Sequence, residues 1–402
     1  MQISIFSDTH CGFGYGTERE EDSFIALEEA IEKSLDSDLI LIAGDVFDTK
    51  IPKPEIFART ARILSRAQHI PSKTRLIEII NKDKKQISPL ALRGIPIVSI
   101  HGTHERRSPY NINPIQQLEH TGLLIHLDRS TVVFEIDNHK VAVHGMSGVP
   151  EQYAKKYLEE WNPQPIKDAI NILMIHQSIT PYIYSPKDPP SLHIDDLPDG
   201  FDLYVLGHIH WHELRPFKSG NLLLTGSTIS TSSHKREAES EKYIFKLDKD
   251  HLRKIPLEKQ RKIIIEEFKI EGDIKTKIDN FLATLAKQPI KPVVIIKITG
   301  KAPKHVTLPN LNYLVEKYKD KLIVNIKKDY EIEGFEEQVE MLRKLRERKL
   351  SPKEHGLEIL KQKLAEVGLS INIDDIFDVL AEGDSEMAFN ILTGKQKTLV
   401  NI

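Results

Sequence analysis

Five short apolar runs, each stopping abruptly at an Asp or a His, limit what this chain can become. Ile3 to Phe6 runs into Ser7-Asp8-Thr9-His10, and Leu39 to Ala43 into Gly44-Asp45. Ile97 to Ile100 leads to His101-Gly102-Thr103-His104-Glu105, Ile172 to Ile175 to His176-Gln177-Ser178, and Leu203 to Leu206 to Gly207-His208-Ile209-His210. Unbroken runs of this length read as strands buried on both faces, since half-exposed strands alternate apolar with polar. In open α/β sheets ligands bind just outside the carboxyl ends of the strands. Strand ends that all carry Asp or His therefore predict one shared site.

The segments between the runs supply helices. Phe24, Leu27, Ala30, Ile31 and Leu35 fall at helix spacing, a second helix is expected from about Pro54 to Ala67, and a polar helical segment from about Leu76 to Lys84. Past Leu123 strands predominate: Val132 to Ile136 and Lys140 to Val143 flank Asp137-Asn138-His139, a tight hairpin turn. Further runs at 172–175, 203–206, 221–225 and 242–247 predict a second sheet. The expected class over residues 1–250 is α/β, a two-sheet sandwich with helices outside. Pro181 to Pro190 is proline-rich and reads as a surface loop.

The stretch His251 to Arg261 is charged, contains Pro256 and reads as a linker. Beyond it the pattern predicts a small α/β domain over 262–330: strand Lys262 to Phe268, helix Ile274 to Ala286, strand Pro292 to Ile298, helix Asn310 to Tyr318 and strand Leu322 to Ile326. It carries no Asp or His cluster, so binding rather than chemistry is expected of it. In 335–402 a helical stripe of Phe335, Val339, Leu342 and Leu345 is repeated by Leu357, Leu360, Leu364 and Val367. Stripes in so short and charged a segment predict helices that dock on a partner.

Composition narrows the setting. With 56 basic and 59 acidic residues the net charge of −3 neither supports nor excludes a nucleic-acid partner. The single cysteine, Cys11, rules out a disulfide framework or a thiolate zinc site within one chain and suits a reducing cytosol. Although Cys11 follows His10, a small residue in a turn is the simpler expectation. No run approaches the roughly 20 apolar residues of a membrane span, and the N-terminus enters a strand at once rather than a signal peptide, so a cytoplasmic protein is expected.

The strand ends together offer Asp8, His10, Asp45, His104, His176, His208 and His210. Carboxylates and imidazoles without thiols suit Mn²⁺, Fe²⁺ or Zn²⁺. These groups exceed the needs of one ion, whereas two ions about 3.5–4 Å apart clamp a phosphate and activate a water. Asp45 is the natural bridge. Within Asp8-Thr9-His10 and His208-Ile209-His210 the two-residue spacing puts both side chains on one face of an extended chain.

Asp8 and His10, Gly44-Asp45, Gly102 with His104-Glu105, His176, and Gly207-His208 with His210 resemble the five motifs of the calcineurin-like metallophosphoesterases. Within that superfamily the chain resembles the archaeal Mre11 nucleases, on Asp45-Val46-Phe47-Asp48 followed by prolines and on the layout of core, small second domain and charged helical C-terminus. The resemblance implies a Mn²⁺-dependent DNA exonuclease and endonuclease at double-strand breaks, a homodimer, and a Rad50-like ATPase bound through the C-terminal helices. By position, Asp8, His10, Asp45 and His210 would hold one ion, and Asp45, His176 and His208 the other. His104 would touch the scissile phosphate and protonate the leaving oxygen. Two positions depart from the family. Thr103 stands where its members carry an Asn ligand, and a hydroxyl is the poorer neutral donor; Asp48 stands where many relatives have His, and it receives no catalytic role here.

Arg106 and Arg107 are candidate phosphate contacts, with solvated loop arginines an equal alternative. For Trp211 and His212, packing is favoured over nucleotide stacking, and nothing in the spacing of His101 or His144 demands a ligand. Lys235 and Arg236 lie in a loop that could face DNA, an ordinary surface loop being slightly favoured. The same ligands serve phosphoprotein phosphatases and cyclic-nucleotide phosphodiesterases, and a site weakened at Thr103 would leave a DNA-end tether. The two C-terminal additions favour the nuclease. The apolar helix at 54–67 is the candidate dimer surface.

Overall fold

The apolar runs are strands of two stacked sheets. The structure is a computed structural model that describes residues 1–108, 110–184, 192–249, 251–270, 273–302, 311–332 and 374–381, with single helical positions at 354, 356, 357, 360, 361, 389 and 391. Strand β1 (Ile3–Phe6) leads into helix α1 (Asp22–Glu32), strand β2 (Leu39–Ile42), helix α2 (Pro54–Leu64), strands β3 (Arg75–Ile80) and β4 (Ile97–Ser99), helix α3 (Pro114–His120) and strand β5 (Ile125–His126). Then come β6 (Ser130–Ile136), β7 (His139–Met146), α4 (Ala154–Trp161), β8 (Ala169–Ile175), the short β9 (Ile179–Thr180) and β10 (Leu192–His193), β11 (Leu203–Leu206), β12 (Glu213–Phe217) and β13 (Gly220–Leu224). Helix α5 (Lys235–Ala238), β14 (Tyr243–Asp248) and β15 (His251–Pro256) follow.

One sheet has the order β15-β14-β1-β2-β4-β5 and the other β12-β13-β11-β8-β7-β6-β3. Alternate residues explain the stacking. Ile3, Ile5, Leu39 and Leu41 point inward against Val132, Phe134, Val141, Val143, Ile172 and Met174 of the second sheet. Their neighbours Phe6, Ile40 and Ile42 point outward into a second core with Leu27 and Ile31 of α1, Ile63 of α2 and Leu118 of α3. Leu173, Ile175, Tyr204 and Leu206 do the same on the far side against Leu158 of α4. Strands with helices on one face and a sheet on the other carry no solvent face, which is why the sequence shows no alternation.

Four expectations are corrected. The stretch expected as a helix from Leu76 to Lys84 is strand to Ile80, where β3 pairs antiparallel with β6, and turns helical only at Lys84, in a single 3-10 turn. Leu76 and Ile79, three apart, both pack on the inner core, because a bulge between Leu76 and Glu78 inserts a residue and returns Ile79 to the same face. Helix spacing and a bulged strand give the same pattern. The expected linker at 251–261 begins as β15, an edge strand whose His251, Arg253 and Lys254 protect its open side and whose last residue is Pro256. The run at 242–247 belongs to the first sheet, between β15 and β1. Finally, the apolar stripe of α2 is taken up by the core, with Ile56, Ile63 and Leu64 buried; Pro54, Glu55, Ala58 and Arg62 are the exposed positions. The turn between β6 and β7 is as expected, with Asp137 and Asn138 at φ 48° and 66°.

The small α/β pattern is present as β16 (Ile263–Lys269), α6 (Ile274–Leu285), β17 (Val293–Ala302), α7 (Asn312–Tyr318) and β18 (Ile323–Ile332), the strands in the order β16-β17-β18. Compact units divide elsewhere than at 250: Met1–Ile298 with Asn310–Lys328 forms one, and Thr299–Pro309 with Asp329–Ile402 another. The first stripe of the C-terminal segment lies outside the described residues, as do Leu364 and Val367; Leu357 and Leu360 are helical, and helix Asp374–Ala381 buries Ile376 and Val379. No described helix is long and apolar enough to cross a membrane. Phe134 is fully buried between the sheets, whereas Ile77 on β3 is 45% exposed. In urea unfolding, Phe134→Ala is expected to cost about 3–5 kcal/mol, and Ile77→Ala no more than about 0.5 kcal/mol.

Candidate metal centre

Because β1, β2 and β4 are neighbours in one sheet and β8 and β11 in the other, their carboxyl ends meet at one rim of the sandwich. Main-chain bonds stitch the departing loops together: Asp8 N–H donates to Gly44 O at 2.9 Å, His10 N–H to Asp45 O at 3.0 Å, and Gly207 N–H to Ile175 O at 3.1 Å. Four site residues sit at positive φ: Asp8 (52°), His10 (45°), Asp45 (48°) and His208 (78°). Non-glycine residues adopt that region at a cost, so the turns are over-determined by their surroundings. Two glycines permit the crowding. At Gly44, with φ 94°, an added Cβ would collide with the His176 ring, and at Gly102 with the Asp45 carboxylate.

Three overlapping groups have their ligand atoms within 4.8 Å of one another: Asp8, His10 and His210; Asp45, His176 and His208; and His10, Asp45 and His104. His10 Nε2 lies 3.1 Å from His210 Nε2, and the two stand 3.9 and 3.6 Å from Asp8 Oδ1. Donor atoms about 2.0–2.1 Å from a common ion are spaced in this way, so the set fits one. On the other side His176 Nε2 is 3.1 Å from Asp45 Oδ2, while its Nδ1 donates to Ala43 O at 2.7 Å; that bond commits Nε2 to the site. Ser178 Oγ meets His208 Nε2 at 2.9 Å, leaving Nδ1 turned toward Thr103 Oγ1 at 3.5 Å. Thr103 Oγ1 also faces Asp45 Oδ2 at 3.4 Å. The threonine thus does stand at the second group. His104 lies at the open side, its side chain 46% exposed, with its backbone N–H on Asp45 Oδ1 at 2.9 Å.

The charges are closely interlocked. Burial works to raise the Asp45 carboxyl, but His176 outweighs it, with His10 and His104 adding to the effect, and holds it well below the carboxylate range. Asp8 is lowered in the same way by His176 and His210 against burial. Burial alone would depress His176, yet Asp45 pushes it up to about 10; His210, likewise buried, is carried to about 9 by Asp8 and Glu237. His208 is the opposite case, lowered to about 4 by burial and by the charge on His176. Glu105, pushed up to about 8 by burial and by Asp45, accepts from Phe47 N–H at 2.8 Å and Gly102 N–H at 2.9 Å. It thereby clamps the loops after β2 and β4 to each other.

Of the remaining candidates, Arg107 donates to Ile112 O at 3.0 Å and braces its own loop, with Arg106 half-buried beside it. His101 is engaged with His126 at 3.0 Å, and His144 with Thr131 and Asn171 at 2.9 and 3.2 Å, so both are polar knots inside the fold. Trp211 is 4% exposed and packs in the core under the Arg236 guanidinium, 4.4 Å from its ring. Asp48, set aside on sequence, stands 3.3 Å from His10 Nδ1 and 3.7 Å from His104 Nδ1. Sequence reasoning missed Ser178, Glu237 and Lys242. Ser178 shares the extended segment after β8 with His176 and was within reach of the two-residue spacing. Buried Lys242, lowered to about 8 by burial against the pull of Glu237, donates to Ser227 Oγ at 3.0 Å and gave no signal.

A divalent ion needs the imidazole lone pairs that His176 and His210 give to protons below about 10 and about 9 respectively. Proton and ion compete, so ion affinity is expected to rise with pH from 7 to 9 and binding to release protons. Titration calorimetry in buffers of different ionisation enthalpy measures this; an affinity flat across that interval with no proton release would contradict it.

The chain is 26% identical over 321 residues to the DNA double-strand break repair protein Mre11 of Methanococcus maripaludis, covering 74% of this chain and 78% of that one. Its similarity to the protein of the same name from Sulfolobus acidocaldarius is 26% over 354 residues, 82% of this chain and 85% of that one. To the double-strand break repair protein MRE11 of Encephalitozoon cuniculi it is 26% identical over 315 residues, spanning about half (52%) of that longer chain. Residues 1–212, which hold every strand end described above, match the model of the calcineurin-like phosphoesterases. With more than half its length matched, and with the carboxylates and imidazoles of that match gathered at one rim, the chain belongs to the calcineurin-like phosphoesterase family.

Proposed function

We propose that this chain is a DNA nuclease of the Mre11 type, a phosphodiester hydrolase that acts at double-strand ends with a Rad50-like ATPase. The observation that carries the proposal is the buried cluster of Asp8, His10, Asp45, His176, His208 and His210 with the exposed ring of His104 at its open side, in a chain similar over most of its length to proteins named for double-strand break repair. Asp8, His10, Asp45 and His210 hold one divalent ion and Asp45, His176 and His208 the other, Mn²⁺ being suited to such a thiol-free set. Thr103 takes the place of an amide ligand there. When bound, the ion pair neutralises phosphate charge and activates a water for in-line attack.

The chain's own part in the proton transfer falls to His104. Its Nδ1 donates to Asp48 O at 2.8 Å, which fixes the ring and leaves Nε2 for the substrate; protonated, Nε2 donates to the leaving oxygen. The Asp48 carboxylate faces the rings of both His10 and His104, so it is turned to them instead of confronting the phosphate. Arg106 supplies a phosphate contact, with Arg107 shaping the loop. The small α/β domain at 262–330 caps the core, the helices at 335–402 take the ATPase, and a homodimer forms through surface outside the apolar stripe of α2. The protein then works on DNA inside the cell.

With Mn²⁺, the full chain is expected to degrade duplex DNA ends; hydrolysis of a nitrophenyl phosphate ester with no action on DNA would overturn the nuclease assignment. His104→Asn should slow cleavage by about 10²–10⁴-fold while DNA-end binding, followed by mobility shift, persists. Thr103→Asn should raise activity at low Mn²⁺, seen as a leftward shift of the metal titration.

A further inference from the structure

Glu237 belongs to none of the strand-end motifs, yet its carboxylate is fully buried against one of their histidines. It lies on α5 with a side chain 0% exposed, and its Oε1 is 3.0 Å from His210 Nδ1 across 27 residues of sequence. The carboxylate is itself held from several sides. Thr231 N–H donates to Oε1 at 2.6 Å, Thr231 Oγ1 at 3.1 Å and Ser232 N–H at 3.3 Å, and Ser232 Oγ donates to Oε2. Its place is thus fixed by the 231–232 turn as well as by the histidine. On the main-chain side, Lys242 Nζ donates to His210 O at 3.3 Å.

The ring has two nitrogens, and Glu237 takes the one that faces away from the cluster. A carboxylate can only accept, so Nδ1 keeps a proton, and when the other proton gives way to an ion it is Nε2 that presents its lone pair toward Asp8 and His10. Thr231 Oγ1 is also 3.1 Å from Nδ1, but its hydrogen is directed at Glu237, and it backs the same arrangement. We propose that Glu237 is a positioning residue of the metal centre: through Nδ1 it sets the tautomer and aim of His210, and so the affinity of the ion site that His210 shares with Asp8 and His10. The inference rests on the proposal that His210 is a metal ligand. Partners of this kind behind ligating histidines contribute about 10–100-fold to metal affinity.

The test uses the full chain and Mn²⁺ alone, titrated by calorimetry, with His210→Ala as the reference for loss of the ligand and melting of the metal-free protein as the fold control. Glu237→Ala is expected to weaken the tighter site by about 10–100-fold and to leave the weaker site, built on His176 and His208, unchanged. Glu237→Gln, whose amide oxygen still accepts from Nδ1, should weaken it less and serves where the alanine variant folds poorly. In ¹⁵N spectra of labelled histidine recorded on the metal-free protein above about pH 9, where the His210 ring has given up its second proton, the Nδ1–H tautomer of the wild type should give way to a mixture in Glu237→Ala. Unchanged affinity of the tighter site in both variants would overturn the inference, as would equal weakening of both sites, which marks a general loss of structure. A wild type that takes up no Mn²⁺ would instead remove the metal assignment beneath it.

Discussion

Asp45 is an anion almost wholly removed from water, being 1% exposed, and much of the rim is arranged around that fact. A buried carboxylate left unpaired is far too costly to keep charged. Asp45 is met by the His104 amide at one oxygen and by His176 and Thr103 at the other. Gly102 is required beside it because no side chain fits. Glu105 feels the same charge, and its two oxygens tie down the amides of Phe47 and Gly102 on either side of it. One charge thus dictates the sequence of the loop opposite.

The rim also stores conformational strain. Asp8, His10, Asp45 and His208 hold backbone angles that cost on the order of 1–3 kcal/mol each, and they hold them where two sheets and their flanking helices fix both ends of every loop. A strained turn at the end of a fully buried strand cannot relax by moving the strand, because the strand's faces are committed to two different cores. The position of the site at the ends of such strands therefore follows from mechanics as much as from topology.

This explains what could be read in the sequence. The candidate ligand positions were legible because a strand buried on both faces is an unbroken apolar run, so the first polar residues after it stand out. β3 was not, since its bulge gives Leu76 and Ile79 the spacing of a helix, and β15 was not, since an edge strand protected by charges has the composition of a linker. The place of Thr103, its hydroxyl beside Asp45 and His208, could be foreseen from one motif. Asp48 was visible as a departure, but its contact with two rings depends on how the loops fold over one another. Glu237 was hidden altogether: its partner is 27 residues away, in a stretch of serines and charges with no periodicity.

Helix α5 faces two ways, and that has a thermodynamic consequence. Glu237 turns toward His210, while the adjacent Ala238 packs on Ile263, Val293 and Ile295 of the small sheet, and Lys327 of β18 reaches Ser233 just before the helix at 2.9 Å. A single helical turn is therefore the seat of the small sheet on one side and the backing of a candidate ligand on the other. Free energies of binding to one body are reciprocal. If His210 holds an ion as proposed, that ion stabilises the seat, and whatever presses the small sheet onto α5 makes the ion harder to lose, so that the seating of the small sheet and ion occupancy become two readouts of one equilibrium.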